Sequence, residues 1–333
     1  AVMDENGPLP EREEAANLLS QISEIKDFDG LPVAPSANPK HWWGVNSSTQ
    51  GPRPVRVGDE PLAISGSSLE KIRSCALQWF LEHQVRAELP SGTAAAFGTV
   101  VHALAEAVAQ GRVPPEVTDV DEWLDVAWTD ASYAAAWQST GEREQARRAL
   151  ERFLEYHGRS DRELLNTEQT LEAILDVPLP DGGVASVRLK GRLDRIEADE
   201  NGDLLAIDLK TERSLPSGTK VAEHAQLGVY QLLLQSAFPD RPSGGASLLQ
   251  LRHDASAHDA GPKEQRQTAV PVGTDSWVVR DLGVAAQAIV REEFSAKPGT
   301  HCRSCAYVSL CPARQVDVSV VPSPHGGEAD DPE

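Results

Sequence analysis

Asp208 and Lys210 stand two residues apart in "LLAIDLKT", and Asp194 lies upstream in "GRLDRIEA", across an Asn201-Gly202 turn. On a strand, residues i and i+2 project to one face, so Asp208 and Lys210 point together, with Ile207 and Leu209 on the other side. A turn at Asn-Gly folds the two runs into a hairpin and sets Asp194 beside Asp208. A cross-strand ion pair is the ordinary reason for an Asp/Lys pattern, but such a pair needs only one acid. Two facing carboxylates repel unless a proton or cation lies between them, and hard oxygen donors suit Mg2+ or Mn2+.

The four cysteines form a second constellation. Cys302, Cys305 and Cys311 are spaced C-x2-C-x5-C in "HCRSCAYVSLC", and Cys75 stands alone in "SCALQWF". Four thiolates complete one tetrahedral ligand set. Disulfides are disfavoured in a cytosolic chain, and C-x2-C is cramped for a structural bridge. Zinc and an iron–sulfur cluster both use four Cys, so spacing alone leaves the two open.

These residues need a scaffold. A helix is expected to begin near Ser67 in "ISGSSLEKIRSCALQWFLEH", where Ser67 and Glu70 have capping-box spacing and Leu69, Ile72, Leu77 and Phe80 fall near one face. "AAAFGTVVHALAEAVAQG" reads as a second helix, stopped by Gly111 and the Pro pair beyond it. Residues 119–165 read as an all-helical insert with Trp123, Trp128, Trp137 and Phe153 as core anchors. The pattern then turns to strands, "EAILDVPL", "ASVRLKGRLDRIEA" and "DLLAIDLKT", followed by the helix "VAEHAQLGVYQLLLQSAF" and a fourth strand, "GASLLQLRH". Helix, three strands, helix, strand makes an α/β domain on a small mixed sheet. Internal repeats are lacking, and so is a G-x-x-x-x-G-K-S/T loop, which excludes ATP hydrolysis by that route.

At 333 residues and 40% hydrophobic, the chain can bury a sizeable core without staples. Its longest apolar stretch, near "VYQLLLQSAF", falls short of the roughly 18 residues of a membrane span, and its acidic start is no secretory signal, so a soluble cytoplasmic protein is expected. A net charge of −20 argues against a general basic coat for nucleic acid, while leaving room for a local site. Residues 1–60, rich in Pro, Gly and polar residues, read as a linker or adaptor to something upstream; residues 61–318 form the main domain and 319–333 an acidic disordered tail. The initial Ala in place of Met fits a processed chain or a piece of a longer one.

"GRLDRIEA" followed by "LLAIDLKT" resembles the nuclease motif of the PD-(D/E)xK superfamily, in its RecB-like branch. Two flanking motifs strengthen the likeness: "FGTVVHALAE", with His102, resembles G-T-x-x-H, and "AQLGVYQLL", with Gln226 and Tyr230, resembles Q-x-x-x-Y. Taken singly, His102 reads as a core histidine and Gln226 with Tyr230 as an ordinary half-buried helix face; together they point to one site. The resemblance implies a restriction-endonuclease-like core and a metal-dependent deoxyribonuclease. Its Mg2+ or Mn2+ ligands would be His102, Asp194, Asp208 and the Leu209 carbonyl; Lys210 would orient or deprotonate water or stabilise charge, and Gln226 and Tyr230 would position backbone or water. Several RecB-like nucleases carry one Cys ahead of the nuclease motifs and three behind, around a 4Fe–4S cluster. By that likeness Cys75, Cys302, Cys305 and Cys311 would hold a cluster, rather than zinc, that staples the two ends of the domain.

"PKHWWGV" further resembles the segment joining helicase to nuclease in actinobacterial AdnAB-type complexes. That implies an exonuclease module that a helicase, in the same chain or a partner subunit, feeds with single strands of DNA at double-strand breaks for recombinational repair. Three alternatives are a free-standing Cas4-like exonuclease, a catalytically silent domain that binds DNA or partners, and a zinc-stapled scaffold.

Overall fold

The computed structural model describes residues 8–27, 30–38, 58, 60–87, 93–128 and 136–313. "PKHWWGV" and the acidic tail lie outside the described residues. The chain divides into two units, Ala1–Pro54 and Val55–Glu333. In the first, α1 (Leu9–Ser23) carries Pro10 in its opening turn, where a missing N–H costs no helical hydrogen bond.

The second unit is built on a six-stranded mixed sheet. β1 (Leu62–Ile64) runs parallel to β3 (Val184–Ala198), and β2 (Glu163–Pro178) pairs antiparallel along the whole of β3. β4 (Leu204–Lys210) pairs antiparallel with the end of β3 and parallel with β5 (Ser243–Ser256), and β6 (Asp259–Gln267) closes the sheet. Because β2 occupies one edge of β3, the other edge is shared: β1 takes Val187–Leu189 and β4 takes Arg195–Ala198.

Alternation on β4 and β5 divides two cores. Leu204, Ala206 and Leu248 face α2 (Gly66–Ser74), α8 (Ala225–Ala237) and α9 (Trp277–Val290); Leu205, Ile207 and Leu249 face α4 (Thr93–Ala109), α5 (Val117–Trp128) and α6 (Ala136–Arg159). On β3 the phase shifts, since Leu193 and Ile196 enter the same core although three residues apart. Beyond the shift, Arg195 and Glu197 turn toward α6 and are buried as an ion pair, Nη2 to Oε1 2.8 Å. The Tyr156 hydroxyl donates to Glu197 at 2.6 Å, and the Arg195 guanidinium lies over the Phe153 and Tyr156 rings. Burial first, and then Glu197, push the Tyr156 phenol well above its ordinary range, so it stays a donor.

Several elements depart from the sequence expectation. The helix expected from Ser67 starts at Gly66, with Ser65 Oγ accepting from Ser68 N at 3.1 Å. The capping box does not form because Glu70 reaches instead to the Ala225 amide. That helix also breaks at Cys75, an extended residue (φ −163°, ψ 105°) before α3 (Ala76–His83). The helix expected over 221–238 breaks at the extended residue His224 into α7 (Gly218–Ala222) and α8, and the Gln267 side chain donates to the Val221 and Ala222 carbonyls, which a continuous helix would use, and to that of His224. The expected insert contains α5 and α6, but its last residues, 163–165, already belong to β2. Trp128 and Phe153 are buried, whereas Trp123 is 51% exposed, on the outer face of α5, and anchors nothing; the Trp137 side chain lies outside the described residues. Among the described residues no helix is long and apolar enough to cross a membrane.

Candidate active site

The ladder between β3 and β4 has its last backbone pair at Arg195 and Ile207, and the acids lie just beyond it. Asp194 turns its carboxylate to the end of β4 and accepts from Leu209 N at 2.6 Å. His102, halfway along α4, brings Nδ1 to 3.5 Å from Asp194 Oδ1. Glu168 of β2 comes from the other side: Thr167 pairs with Arg195 and Gln169 with Leu193, so Glu168 faces Asp194 across the ladder. Its backbone is left-handed, φ 49°, where strands ordinarily do not go. One ligand atom from each of His102, Glu168 and Asp194 lies within 4.8 Å of the others.

The electrostatics of this cluster favour positive charge at its centre. Burial, and then the neighbouring Asp194, push the Glu168 carboxyl up. Burial lowers the His102 imidazole, but Asp194, then Asp208 and Glu168, outweigh it and hold the ring above its usual value. Carboxylate oxygens and one imidazole suit Mn2+ or Mg2+, so the donors present fit a divalent ion.

Next to the cluster runs a directed chain of hydrogen bonds. Asp208 is 2% exposed, and its Oδ2 lies 2.8 Å from Lys210 Nζ. Lys210 donates to Gln226 Oε1 at 2.9 Å, Gln226 Nε2 donates to the Tyr230 hydroxyl at 2.7 Å, and Tyr230 donates to the Arg192 carbonyl at 2.8 Å. The terminal carbonyl can only accept, which orients every group behind it and leaves the amide oxygen facing the ammonium. Gly191 makes the room: a Cβ there would meet Leu233 Cδ1 at 2.8 Å and Tyr230 Cε1 at 2.9 Å. Burial lowers Lys210, but Asp208 more than offsets it and keeps the amine protonated. Burial raises the Asp208 carboxyl, with Asp194 adding to it against the pull of Lys210.

The structure therefore brings His102 to Asp194, and Asp208, Lys210, Gln226 and Tyr230 to one another. Leu209 contributes its N–H to Asp194. Glu168 has no counterpart in the sequence expectation, which began that strand at Glu172. Its signal was the register itself, since a strand extended back by four residues puts an acid opposite Asp194.

All four cysteines are free and line one cavity of about 100 Å3, with Pro298, Gly299 and His301. Cys75 reaches it from the break between α2 and α3, and Gly299 N donates to Cys302 Sγ at 3.3 Å. Among the described residues, no three of these sulfurs lie within 4.8 Å of one another.

A structure described as "Crystal structure of SSO0001" is similar at 18% identity, with a TM-score of 0.37, over 78% of this chain and 89% of that one. No curated protein matches. A family profile described as PD-(D/E)XK nuclease superfamily matches residues 63–312, a span that holds His102, Glu168, Asp194, Asp208, Lys210, Gln226, Tyr230 and the four cysteines. With a match over most of its length, this chain belongs to the PD-(D/E)XK nuclease superfamily.

Proposed function

We propose that the chain is a divalent-metal-dependent deoxyribonuclease that trims single strands from an end, as the nuclease module of a helicase–nuclease that processes double-strand breaks for recombinational repair. The observation that carries the reading is the meeting of His102, Glu168 and Asp194 beside a lysine kept as an ammonium. His102, Glu168 and Asp194 would hold a divalent ion, which when bound would supply positive charge for the scissile phosphate and lower the pKa of a water. Lys210, held between Asp208 and Gln226, is a donor rather than a base, so its role is to orient water and stabilise the charge that grows on phosphate oxygen. Gln226 and Tyr230 position Lys210, and Asp208 balances its charge; by the likeness to RecB-like nucleases, Asp208 and the Leu209 carbonyl would also ligate the ion.

The wider assignment rests on the RecB-like motifs and the four cysteines, and residues 61–318 are its domain. We assign the cysteines to a 4Fe–4S cluster rather than zinc. The choice rests on the likeness to RecB-like nucleases that carry one Cys ahead of the nuclease motifs and three behind around such a cluster, since four thiolates serve either group.

The test is cleavage of labelled single- and double-stranded DNA by the full chain with Mg2+, Mn2+ or EDTA, beside Asp208→Asn. Metal-dependent cutting by the wild type, reduced at least 100-fold (on the order of one lost transition-state contact) in a variant that melts like the wild type, is expected. Undiminished cutting by Asp208→Asn would overturn the site.

A further inference from the structure

We infer that the exposed row Arg188, Lys190 and Arg192 on β3 is a track for the phosphates of one extended nucleic-acid strand, leading into the carboxylate cluster. The inference deepens the nuclease reading and rests on it. On this part of β3, Val187, Leu189 and Leu193 are buried in the core, while the three basic residues between them face solvent. Alternate residues of a strand repeat every ~6.7 Å, the order of the distance between successive phosphates of an extended single strand. The row thus offers one cation per phosphate. A strand wound in a duplex curves away from such a straight line.

The row ends at the site. Arg192 Nε lies 2.5 Å from Glu168 Oε2, and its Nη2 lies 3.9 Å from Glu106 of α4, one turn along the helix from His102. A strand lying on Arg188 and Lys190 would therefore pass Arg192 and reach the His102, Glu168 and Asp194 donors.

Cross-strand pairing accounts for only part of the row: Arg192 reaches diagonally to Glu168 and Arg188 to Glu172, both on β2, whereas Lys190, although it faces Glu172, is left out. Among the described residues Lys190 makes no ion pair, and Glu172 turns to Arg188 at 3.5 Å, with both side chains nearly half exposed. An exposed pair of that kind stabilises little, so exchanging Glu172 for phosphate costs little. In a chain of net charge −20, a polyanion can approach only along such local cations, of which Lys190 is the one in this row left without an ion pair among the described residues.

The experiment is binding of labelled oligo(dT) by the full chain with Ca2+ in place of Mg2+, across a salt series. The proteins are the wild type, Arg188→Ala/Lys190→Ala and the charge-keeping Arg188→Lys/Lys190→Arg. Each phosphate contact to a single strand contributes about 0.7 to the slope of log affinity against log salt. The alanine pair is expected to lower that slope by about 1.4 with an unchanged melting temperature, and the charge-keeping pair to retain it. Binding by the wild type with the same slope in the alanine pair would overturn the track and leave the nuclease reading in place. Absence of both oligo(dT) binding and metal-dependent cutting in the wild type would overturn the two together.

Discussion

Glu168 holds a backbone conformation that costs a non-glycine residue about 1–3 kcal/mol, and it does so directly opposite Asp194. The β2–β3 ladder on either side fixes the backbone there, so the strain is offset by the strands and the result is a third candidate ligand beside His102 and Asp194. Two substitutions separate these effects. Glu168→Gly relieves the left-handed strain, and its melting temperature is expected to equal or exceed the wild type; Glu168→Gln keeps the strain. Both should weaken Mn2+ binding about tenfold or more, in the range that altered ligand shells produce, read by titration calorimetry. Wild-type Mn2+ affinity in both variants would remove Glu168 from the site.

At the scale of elements, the middle of β3 and the middle of α8 are fitted to one another through Gly191 and Tyr230. Gly191→Ala should push the Tyr230 ring away, with an overpacking cost of about 1–3 kcal/mol, and should slow cleavage, because the Tyr230–Gln226–Lys210 chain moves with the ring. Thermal melting and cleavage rates check both; a variant with wild-type values for both would contradict the close contact. The start of α8 carries a second consequence. His224 is pushed down to about 4 by burial first, and then by Lys210 and Arg73. The unfolded chain binds that proton near pH 6.5 while the folded chain refuses it until about 4, so stability is lost as pH falls through this window. The full difference amounts to about 3 kcal/mol. His224→Gln should flatten the pH dependence of denaturant unfolding between pH 7 and pH 4; an unchanged profile would show that His224 is not the group responsible.

Over the whole molecule, Cys75 and the Cys302–Cys311 segment join regions far apart in the chain at one cavity. A group held by all four thiolates closes a very long loop, and its binding energy becomes folding energy. Cys305→Ala should therefore lower the melting temperature of anaerobically purified protein and abolish its visible absorbance and iron content. A colourless wild type containing zinc would reverse the choice of metal. Charge also acts at this scale: if the row on β3 is the phosphate track, strand binding through it should weaken as salt is added, although the same salt screens the repulsion from the rest of an acidic chain.

Legibility follows from the range of the interaction. Asp208 and Lys210 are readable because a strand repeats every two residues, and Gln226 with Tyr230 because a helix brings i and i+4 together. The bracketing of the domain by cysteines is likewise written in their spacing. Glu168 was not readable, because its partner is chosen by strand register and its direction by one left-handed residue inside β2. The breaks at Cys75 and His224 were hidden for a similar reason: each lies within a stretch whose local pattern favours an unbroken helix, and the break at His224 is held by Gln267, distant in sequence. The burial of Arg195 and Glu197 depended on α6 arriving with Tyr156 and Phe153. The sequence by itself determined which side chains share a face of one element, since that depends only on backbone periodicity. Which faces meet, and so which residues complete the carboxylate cluster and the cysteine cavity, was decided by the tertiary structure, because register, breaks and burial depend on groups that local spacing cannot see.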